Sequence, residues 1–339
     1  MMGNFNFYKS LSHYKSRKPK ISGNYYTNIN TVRRCAVVVG TNPWLEEVPK
    51  DVLKWKLALV DAYIDTTATS LKLKNISFIE KSEKSAIAFF LGMTFAQVFA
   101  QEFLEIRQLY HLDKKGDERF EVLSTGASPD LCGFNKYTNR AYLIEAKGAT
   151  VITESSPNYF ANERVKKGCE QLNSVSAVKF THNNAIYKNQ TLNKLVVATH
   201  PNSHNDLIHQ IVDPTNEKEN KLKINSDLMA FKYYYNIISL LENERIKSYE
   251  SKYGEFIILE VKKYQFCIGI LQDIYKLIKP YYDKFNSDKD KKILSFQGLY
   301  REIDEVLDKL EARMSEFNEE SFLSIGIDGL IAFSKRKQN

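Results

Sequence analysis

The chain has 339 residues, of which 43% are apolar and 26% are charged. This composition is typical of a globular protein with a large core, built as two domains or one elaborated domain. With only 8 Pro and 14 Gly, it excludes collagen-like and low-complexity proteins. The longest apolar stretch, residues 86–100, is interrupted by Thr94 and Gln97 and is too short to span a bilayer, so we expect no membrane association.

Two further features favour a cytoplasmic location. The first residues show no charged segment followed by an apolar run, so the sequence predicts no signal peptide. The four cysteines are scattered and form no C-x-x-C pair. That spacing is typical of reduced, mostly buried thiols rather than of a disulfide framework.

Positive charge is concentrated at the N-terminus. Residues 1–34 contain seven basic side chains and no acidic one, which equals the net charge of +7 of the whole chain. We expect a basic N-terminal arm that binds nucleic-acid phosphates by releasing counterions. The alternative is a solvated, partly disordered terminus. The candidate nucleic-acid-binding residues are Lys15, Arg17, Lys18, Lys20, Arg33 and Arg34.

After this arm, residues 35–39 form a β-prone run and residues 49–66 are predicted to be helical. A longer helix is predicted over residues 82–110, and its apolar stripe continues into Glu102 and Glu105. Buried carboxylates are costly unless they are paired or bound to a metal. The two acids on this face are therefore candidates for a site. The stripe consists of Ile87, Leu91, Phe95 and Val98.

The rest of the chain alternates strands and helices, which predicts an α/β or α+β fold. The polar, charge-rich stretch 214–225 is the best candidate boundary, dividing a core at 35–215 from a C-terminal region at 216–339. In the core, strands are predicted at 120–124, 129–134, 141–147 and 195–199, and a helix at 163–178. Beyond the boundary, helices are predicted near 226–243, 271–285 and 297–316, and strands at 256–261 and 322–333.

One hairpin gathers the chemistry-bearing residues. Side chains alternate along a strand, so Glu145 and Lys147 project from the same face. A turn at 135–139 returns the second strand beside the first and brings Asp130 near Glu145. Two carboxylates and an ammonium then converge at the end of a small sheet.

Such a cluster suits a hard divalent cation, which takes carboxylate oxygens, water and substrate phosphate as ligands. A metal held by Asp130 and Glu145 would polarise a phosphodiester and lower the pKa of a bound water. Lys147 would orient the attacking water or stabilise the extra charge of the transition state. A further acid from the long helix, Glu102 or Glu105, would complete the metal shell or hold a second ion.

These residues resemble the motif of the PD-(D/E)XK nuclease superfamily, the restriction-endonuclease-like proteins. Pro129-Asp130 is followed, after a hairpin, by Ile144-Glu145-Ala146-Lys147-Gly148, and the resemblance covers about residues 82–200. It implies an α/β core, a mixed sheet flanked by helices, and Mg²⁺, for which Mn²⁺ would substitute, bound by Asp130, Glu145 and Glu102. It also implies that Lys147 assists the water and that Gln171 lies near the site.

The resemblance therefore predicts a Mg²⁺-dependent endonuclease that acts on DNA rather than RNA, in restriction or anti-phage defence. A separately encoded ATPase, helicase or sensor subunit is an expected partner, and a homodimer is possible. The C-terminal region would supply target recognition, regulation or oligomer contacts. The alternatives are a partner-activated transposition or recombination endonuclease, and a non-catalytic nucleic-acid-binding protein that keeps the fold.

Two other motifs are weaker. Glu260-Val261-Lys262 ends an apolar strand but lacks an Asp-bearing strand just upstream, so we rank it below the hairpin. His200, His204 and His209 have a spacing that warrants a zinc-site test, but no thiolate lies nearby. We interpret them as solvated or locally hydrogen-bonded histidines.

Overall fold

In the computed structural model, residues 1–39, 50–112, 129–151, 159–214, 221–242, 245–261, 265–287, 295–316 and 323–334 are described. The protein is α/β, with mixed sheets flanked by helices, as the sequence predicted. The strand predicted at 120–124 lies outside the described residues. Within them, no helix is long and apolar enough to cross a membrane. The four cysteines are buried and free, as expected.

The elements follow in chain order. Those before residue 113 are β1 (Met2–Tyr8), α1 (Leu11–Lys15), β2 (Ile21–Tyr26), α2 (Ile29–Val38), α3 (Lys50–Tyr63), α4 (Lys81–Glu102) and β3 (Leu109–His111). Next come β4 (Leu131–Asn135), β5 (Arg140–Gly148), α5 (Asn162–Asn173), β6 (Ala177–Phe180), β7 (Ile186–Lys188), β8 (Leu192–Pro201) and β9 (Leu207–Val212). The last are β10 (Lys221–Ile224), α6 (Ser226–Glu242), β11 (Ile246–Ser251), β12 (Gly254–Val261), β13 (Phe266–Leu271), α7 (Gln272–Ser287), α8 (Leu299–Glu316), β14 (Leu323–Ile325) and β15 (Leu330–Ser334).

The main sheet has seven strands in the order β2-β1-β9-β8-β5-β4-β3. β4 and β5 form the predicted antiparallel hairpin, in register with Leu131 opposite Ile144. β5 then pairs parallel with β8, and α5 lies in the connection between them. A parallel pair needs such a crossover connection, and a helix is its usual form.

Helices cover both faces of this sheet. α4 packs on the face that carries Ile144 and Ala146, whereas α5 packs on the face that carries Glu145. α4 approaches the end of β5 so closely that a Cβ on Gly148 would lie 1.7 Å from the carbonyl oxygen of Ala88. Only glycine fits here, because any side chain would overlap the helix backbone.

Residues 35–38 of the β-prone run are helical instead, as the last turn of α2, and Val39 follows the helix with an extended backbone. The Asn28 side chain caps the helix by accepting a hydrogen bond from the Thr31 N–H (3.0 Å). Cys35 and Val37 are fully buried. A short apolar run cannot by itself distinguish a strand from a buried helical segment, and here tertiary packing selects the helix.

The long helix ends earlier than predicted. α4 stops at Glu102, Glu105 has a left-handed backbone (φ +52°), and the chain resumes as the short strand β3. Gln101, rather than Glu102, continues the buried face, since it is 5% exposed. The helix predicted at 163–178 likewise stops at Asn173, and β6 follows.

The N-terminal segment is built into the fold and is not a projecting arm. β1 pairs with β9 and β2, inside the main sheet. Arg33 and Arg34 are buried and form ion pairs with Asp61 and Asp328, so these two arginines are not available to nucleic acid. The other four candidates, Lys15, Arg17, Lys18 and Lys20, are exposed.

The C-terminal region packs against the core at several places. β10 pairs with β6 of the core in a small sheet, and β11 to β15 form a five-stranded antiparallel sheet. Helix α8 also contacts the β4–β5 hairpin. Its side chains Asp304, Asp308 and Glu311 bind Arg107, and Asp308 pairs with Lys136 in the β4–β5 turn.

Candidate active site

The β4–β5 hairpin places Asp130 directly beside Glu145. The Asp130 N–H donates to Glu145 Oε2 (3.1 Å), and the Ala146 N–H donates to Asp130 Oδ2 (2.9 Å). Each carboxylate is thus held by the backbone of the opposite strand. This arrangement follows from the pairing of Leu131 with Ile144, which brings the preceding and following residues together.

Lys147 and Gln171 complete the cluster. Lys147 Nζ donates to Glu145 Oε1 and, at 3.1 Å, to Gln171 Oε1. Gln171 comes from α5, which covers this face of the sheet. Four of the residues selected from the sequence therefore meet at one place.

The two carboxylates are strongly desolvated. Glu145 is 0% exposed, because Gly168 lets α5 approach so closely that a Cβ there would lie 3.3 Å from Glu145 Cγ. The pKa of Glu145 is raised to about 7: burial is the main cause, the charge of Asp130 adds to it, and the charge of Lys147 acts against both. Burial also raises the pKa of Asp130, against the charge of Lys147 and the Ala146 N–H.

This donor set fits a hard divalent cation. Two adjacent carboxylates face one ammonium, so the cluster has an excess of negative charge that a cation would offset. Among the described residues, no group of three or more His, Cys, Asp or Glu side chains could hold a metal. The protein would therefore supply Asp130 and Glu145, and water and substrate oxygens would fill the other positions, as is common for Mg²⁺.

The structure does not bring Glu102 or Glu105 to this cluster. Helix α4 lies on the opposite face of the sheet, and Glu102 instead approaches Arg34, with 3.8 Å between Oε1 and Nη2. The N-terminal end of α4, rather than its C-terminal end, lies near the last residues of β5. The hydrogen bond from Thr150 Oγ1 to the Lys84 carbonyl (3.4 Å) shows this. The acidic Glu83 lies there and accepts a hydrogen bond from the Glu80 N–H (3.1 Å).

His111 is a neighbour of the site that the sequence did not reveal. It lies opposite Leu131 in the β3–β4 pair, and its charge acts to lower the pKa of Asp130. The sequence placed His111 just beyond the predicted end of the long helix. A strand of three residues has too little periodicity to be recognised within such a segment.

The other histidines do not form a zinc site. His200 Nε2 contacts Gln210 Nε2 at 3.0 Å, and burial lowers the pKa of His200 to about 4. His209 lies on the opposite face of the sheet, bound to Tyr25 Oη (2.7 Å) and Thr199 Oγ1 (2.9 Å), and burial lowers its pKa to about 3. His204 is exposed in a turn. Local hydrogen bonding was the preferred interpretation of His200 and His209, and it is confirmed.

The competing Glu260 motif lies on a different sheet. Glu260 is on β12 and pairs with Lys247 of β11 (3.2 Å), and Lys262 lies outside the described residues. Among the residues that the structure describes, no element is seen to place a second carboxylate beside Glu260.

Comparisons with protein-family models, with curated proteins and with solved structures each find no match to this chain. Its function is therefore inferred from the chemistry of these side chains.

Proposed function

We propose that the protein is a Mg²⁺-dependent endonuclease that hydrolyses phosphodiester bonds in DNA. The observation that carries this proposal is the convergence of Asp130, Glu145, Lys147 and Gln171 at the end of β5. Buried carboxylates of like charge are costly to a fold, and a catalytic cation offsets that cost. DNA is the preferred substrate, and restriction or anti-phage defence the preferred setting, because of the resemblance to PD-(D/E)XK nucleases.

Asp130 and Glu145 would hold the cation. When bound, Mg²⁺ supplies Lewis-acid polarisation of the phosphodiester. The carboxylates must be ionised to bind it, so cation and proton compete for Glu145, whose pKa burial raises to about 7.

Lys147 would act as the transition-state donor. It projects from the same face as Glu145, its side chain is 17% exposed, and its ammonium donates a hydrogen bond to Gln171 Oε1. It would orient the attacking water or stabilise the charge that develops on the phosphoryl oxygens. Gln171 would fix the ammonium in this position, since a side-chain amide oxygen adds no competing charge.

Cleavage assays with purified protein test the proposal. Supercoiled, linear and single-stranded DNA, and RNA, are incubated with Mg²⁺, Mn²⁺ or EDTA and the wild-type chain, Asp130→Ala or Lys147→Ala. We expect metal-dependent DNA cleavage that each substitution lowers by at least about 100-fold, because each removes a group that acts in the transition state.

Glu260→Ala is the matched control, since it alters the competing Glu-x-Lys sequence at a distance from the hairpin. Cleavage that survives Asp130→Ala and Lys147→Ala but not Glu260→Ala would overturn the site. Preferential cleavage of RNA would overturn the substrate.

A further inference from the structure

The small sheet of β10, β6 and β7 has one apolar face and one basic face. Lys223 of β10 lies opposite Lys179 of β6, and Lys221 and Lys188 lie on either side of Ala177. Because side chains alternate along a strand, all four lysines project from the same face, which we call the lysine face. The opposite face consists of side chains that are each 2% exposed or less: Val178, Phe180, Tyr187, Leu222 and Ile224.

The lysine face contains no acidic residue. The three strands together hold four lysines and neither Asp nor Glu, although basic and acidic side chains are equal in number after residue 34. Lys188 and Lys221 are exposed and Lys179 is half-buried. Among the residues that the structure describes, no carboxylate forms an ion pair with any of these three.

The acids that flank these strands in the sequence lie elsewhere or outside the described residues. Asp227, just after β10, accepts hydrogen bonds from two backbone N–H groups at the start of α8 (2.9 and 3.3 Å). Glu170 is on α5, seven residues before Ala177. Glu217 and Glu219 precede β10 and are not among the described residues. The strands themselves therefore present positive charge only.

Protection of the sheet edges does not account for this face. Lysines on edge strands prevent pairing with other chains, and β7 and β10 are the edge strands of this sheet. Lys179, however, lies on the central strand β6, directly opposite Lys223. Like charges at opposite positions destabilise a sheet, so this pair suits a surface whose charge a bound polyanion neutralises.

The apolar side of the same sheet is fixed to the hairpin that carries the candidate active site. The ring of Phe134 on β4 lies 5.3 Å from that of Tyr187, and the Tyr187 hydroxyl donates to Asn139 Oδ1 in the β4–β5 turn (3.0 Å). Ala177 follows Gln171 by six residues, so their Cα atoms lie within about 22 Å of each other. This distance corresponds to about six base pairs of duplex DNA.

We propose that Lys179, Lys188 and Lys221 bind the phosphate backbone of the DNA substrate beside the catalytic hairpin. This inference rests on the proposed nuclease function and names the surface that holds its substrate. Each ammonium is a point charge that contacts phosphate without reading the base sequence. Three of them on one sheet neutralise several phosphates together and release their counterions, which is the main source of such affinity.

The test measures binding separately from cleavage. A fluorescein-labelled duplex of about 20 base pairs, which reaches from the site to the lysine face, is titrated in EDTA at several salt concentrations. Anisotropy gives the affinity of wild type and of the triple variant Lys179→Gln, Lys188→Gln and Lys221→Gln. We expect the triple variant to bind at least about 10-fold more weakly, with the salt slope reduced by about 3, because three fewer phosphates are neutralised.

Matched variants separate the charge from the fold. Lys276→Gln with Lys284→Gln and Lys309→Gln makes the same charge change at exposed positions of α7 and α8 and should bind like wild type. Replacing the three lysines of the lysine face by Arg keeps the charge and should also preserve binding. If the triple Gln variant does not fold, Lys188→Gln with Lys221→Gln alters only exposed positions and should lower the salt slope by about 2.

Each outcome has a distinct meaning. If wild type cleaves DNA but the Gln variants bind it like the α7 and α8 control, the lysine face is overturned and the nuclease stands. If wild type binds DNA through these lysines yet cleaves no nucleic acid with Mg²⁺ or Mn²⁺, the nuclease fails and the surface stands. Two results would overturn DNA as the partner. One is no binding of wild type to the duplex at low salt. The other is a larger loss for single-stranded RNA, or for phosphatidylcholine vesicles containing phosphatidylserine, than for the duplex.

Discussion

Two clusters of buried acids lie on opposite sides of the main sheet, and they differ in how their charge is balanced. Asp328 and Glu145 are both 0% exposed. Asp328 faces a buried arginine, whereas Glu145 shares one lysine with a second carboxylate.

The Asp328 cluster is saturated with donors. Oδ1 accepts from Arg34 Nη1 (3.0 Å) and the Leu330 N–H (3.2 Å), and Oδ2 accepts from Gln101 Nε2 (2.8 Å) and the Tyr233 hydroxyl (2.7 Å). The Arg34 guanidinium balances the buried charge of Asp328, and Glu102, the second carboxylate near Arg34, is 31% exposed and is therefore solvated. This cluster joins α2, α4 and α6 to the β14–β15 turn, which is a structural role.

The Glu145 cluster lacks this balance of charge. Burial raises the pKa of both Glu145 and Asp130, and the single ammonium of Lys147, which lowers both, does not fully offset it. An excess of buried negative charge lowers stability, and it is typical of sites where a bound cation or a reaction requires it. The contrast teaches that the balance of charge, rather than burial, separates the candidate catalytic acids from the structural one.

Breaking the structural pair should have the largest effect on stability. Arg34→Met leaves Asp328 buried without its counter-ion, and we expect the free energy of unfolding to fall by about 3–5 kcal/mol. Urea denaturation measures it. Arg34→Met with Asp328→Leu should lose less, because no charge remains buried. A loss below about 1 kcal/mol in the single variant would contradict the structural role of this pair.

The close approach of α4 to β5 predicts a smaller loss of stability when Gly148 is replaced. Gly148→Ala places a Cβ against the Ala88 carbonyl, so the helix or strand must shift, and we expect about 1–3 kcal/mol of destabilisation. Gly168→Ala is the control: its Cβ would meet Val196 at 3.1 Å, which a slight movement of side chains relieves. Thermal unfolding of both variants compares them, and equal losses would argue against the backbone contact.

The charge imbalance predicts a pH dependence of the metal-free protein. The folded-state pKa of Glu145, about 7, lies above its ordinary value of 4.5. The folded protein therefore binds this proton more tightly, and the resulting stabilisation is full at low pH and is lost as the pH rises through 7. Relative to Glu145→Gln, wild type should lose up to about 1.4 kcal/mol per pH unit in this window.

Denaturation of both proteins in EDTA from pH 4.5 to 8 measures this difference. A difference that stays constant with pH would contradict the raised pKa of Glu145. Mg²⁺ added at pH 8 should stabilise wild type more than Glu145→Gln, because the variant lacks one carboxylate ligand.

Removing Gln171 should have the smallest effect. Gln171→Ala deletes one hydrogen bond to Lys147 and leaves the carboxylates in place, so we expect kcat to fall by about 10-fold, the equivalent of one such bond. Single-turnover cleavage measures the change. Glu170→Ala, on the exposed side of the same helix, should leave kcat unchanged, and equal losses in the two variants would contradict a positioning role for Gln171.

The sequence predicted the hairpin well because its determinants are local. Alternation places Glu145 and Lys147 on one face, and the turn at 135–139 sets the register that brings in Asp130. Gln171 followed from the resemblance to a nuclease family.

The errors concern interactions between distant parts of the chain. Glu102 was predicted from helical periodicity, but only the packing of α4 shows that it faces Arg34 across the sheet from the site. The sequence predicts Arg34 to be a surface charge, but it is buried and paired with Asp328, almost 300 residues away along the chain. The position of His111 beside Asp130 likewise depends on tertiary contacts that no local pattern contains.

The most direct test of the central claim is to measure activity and stability on one preparation of Glu145→Gln. The amide keeps the shape of the side chain and an acceptor for Lys147, but it removes the unbalanced charge. We predict that Mg²⁺-dependent DNA cleavage falls by at least about 1,000-fold while metal-free stability at pH 8 is retained or increased. Retained cleavage, or lost stability of the kind expected for Arg34→Met, would contradict the claim that this carboxylate is catalytic and that the Asp328 cluster is the structural one.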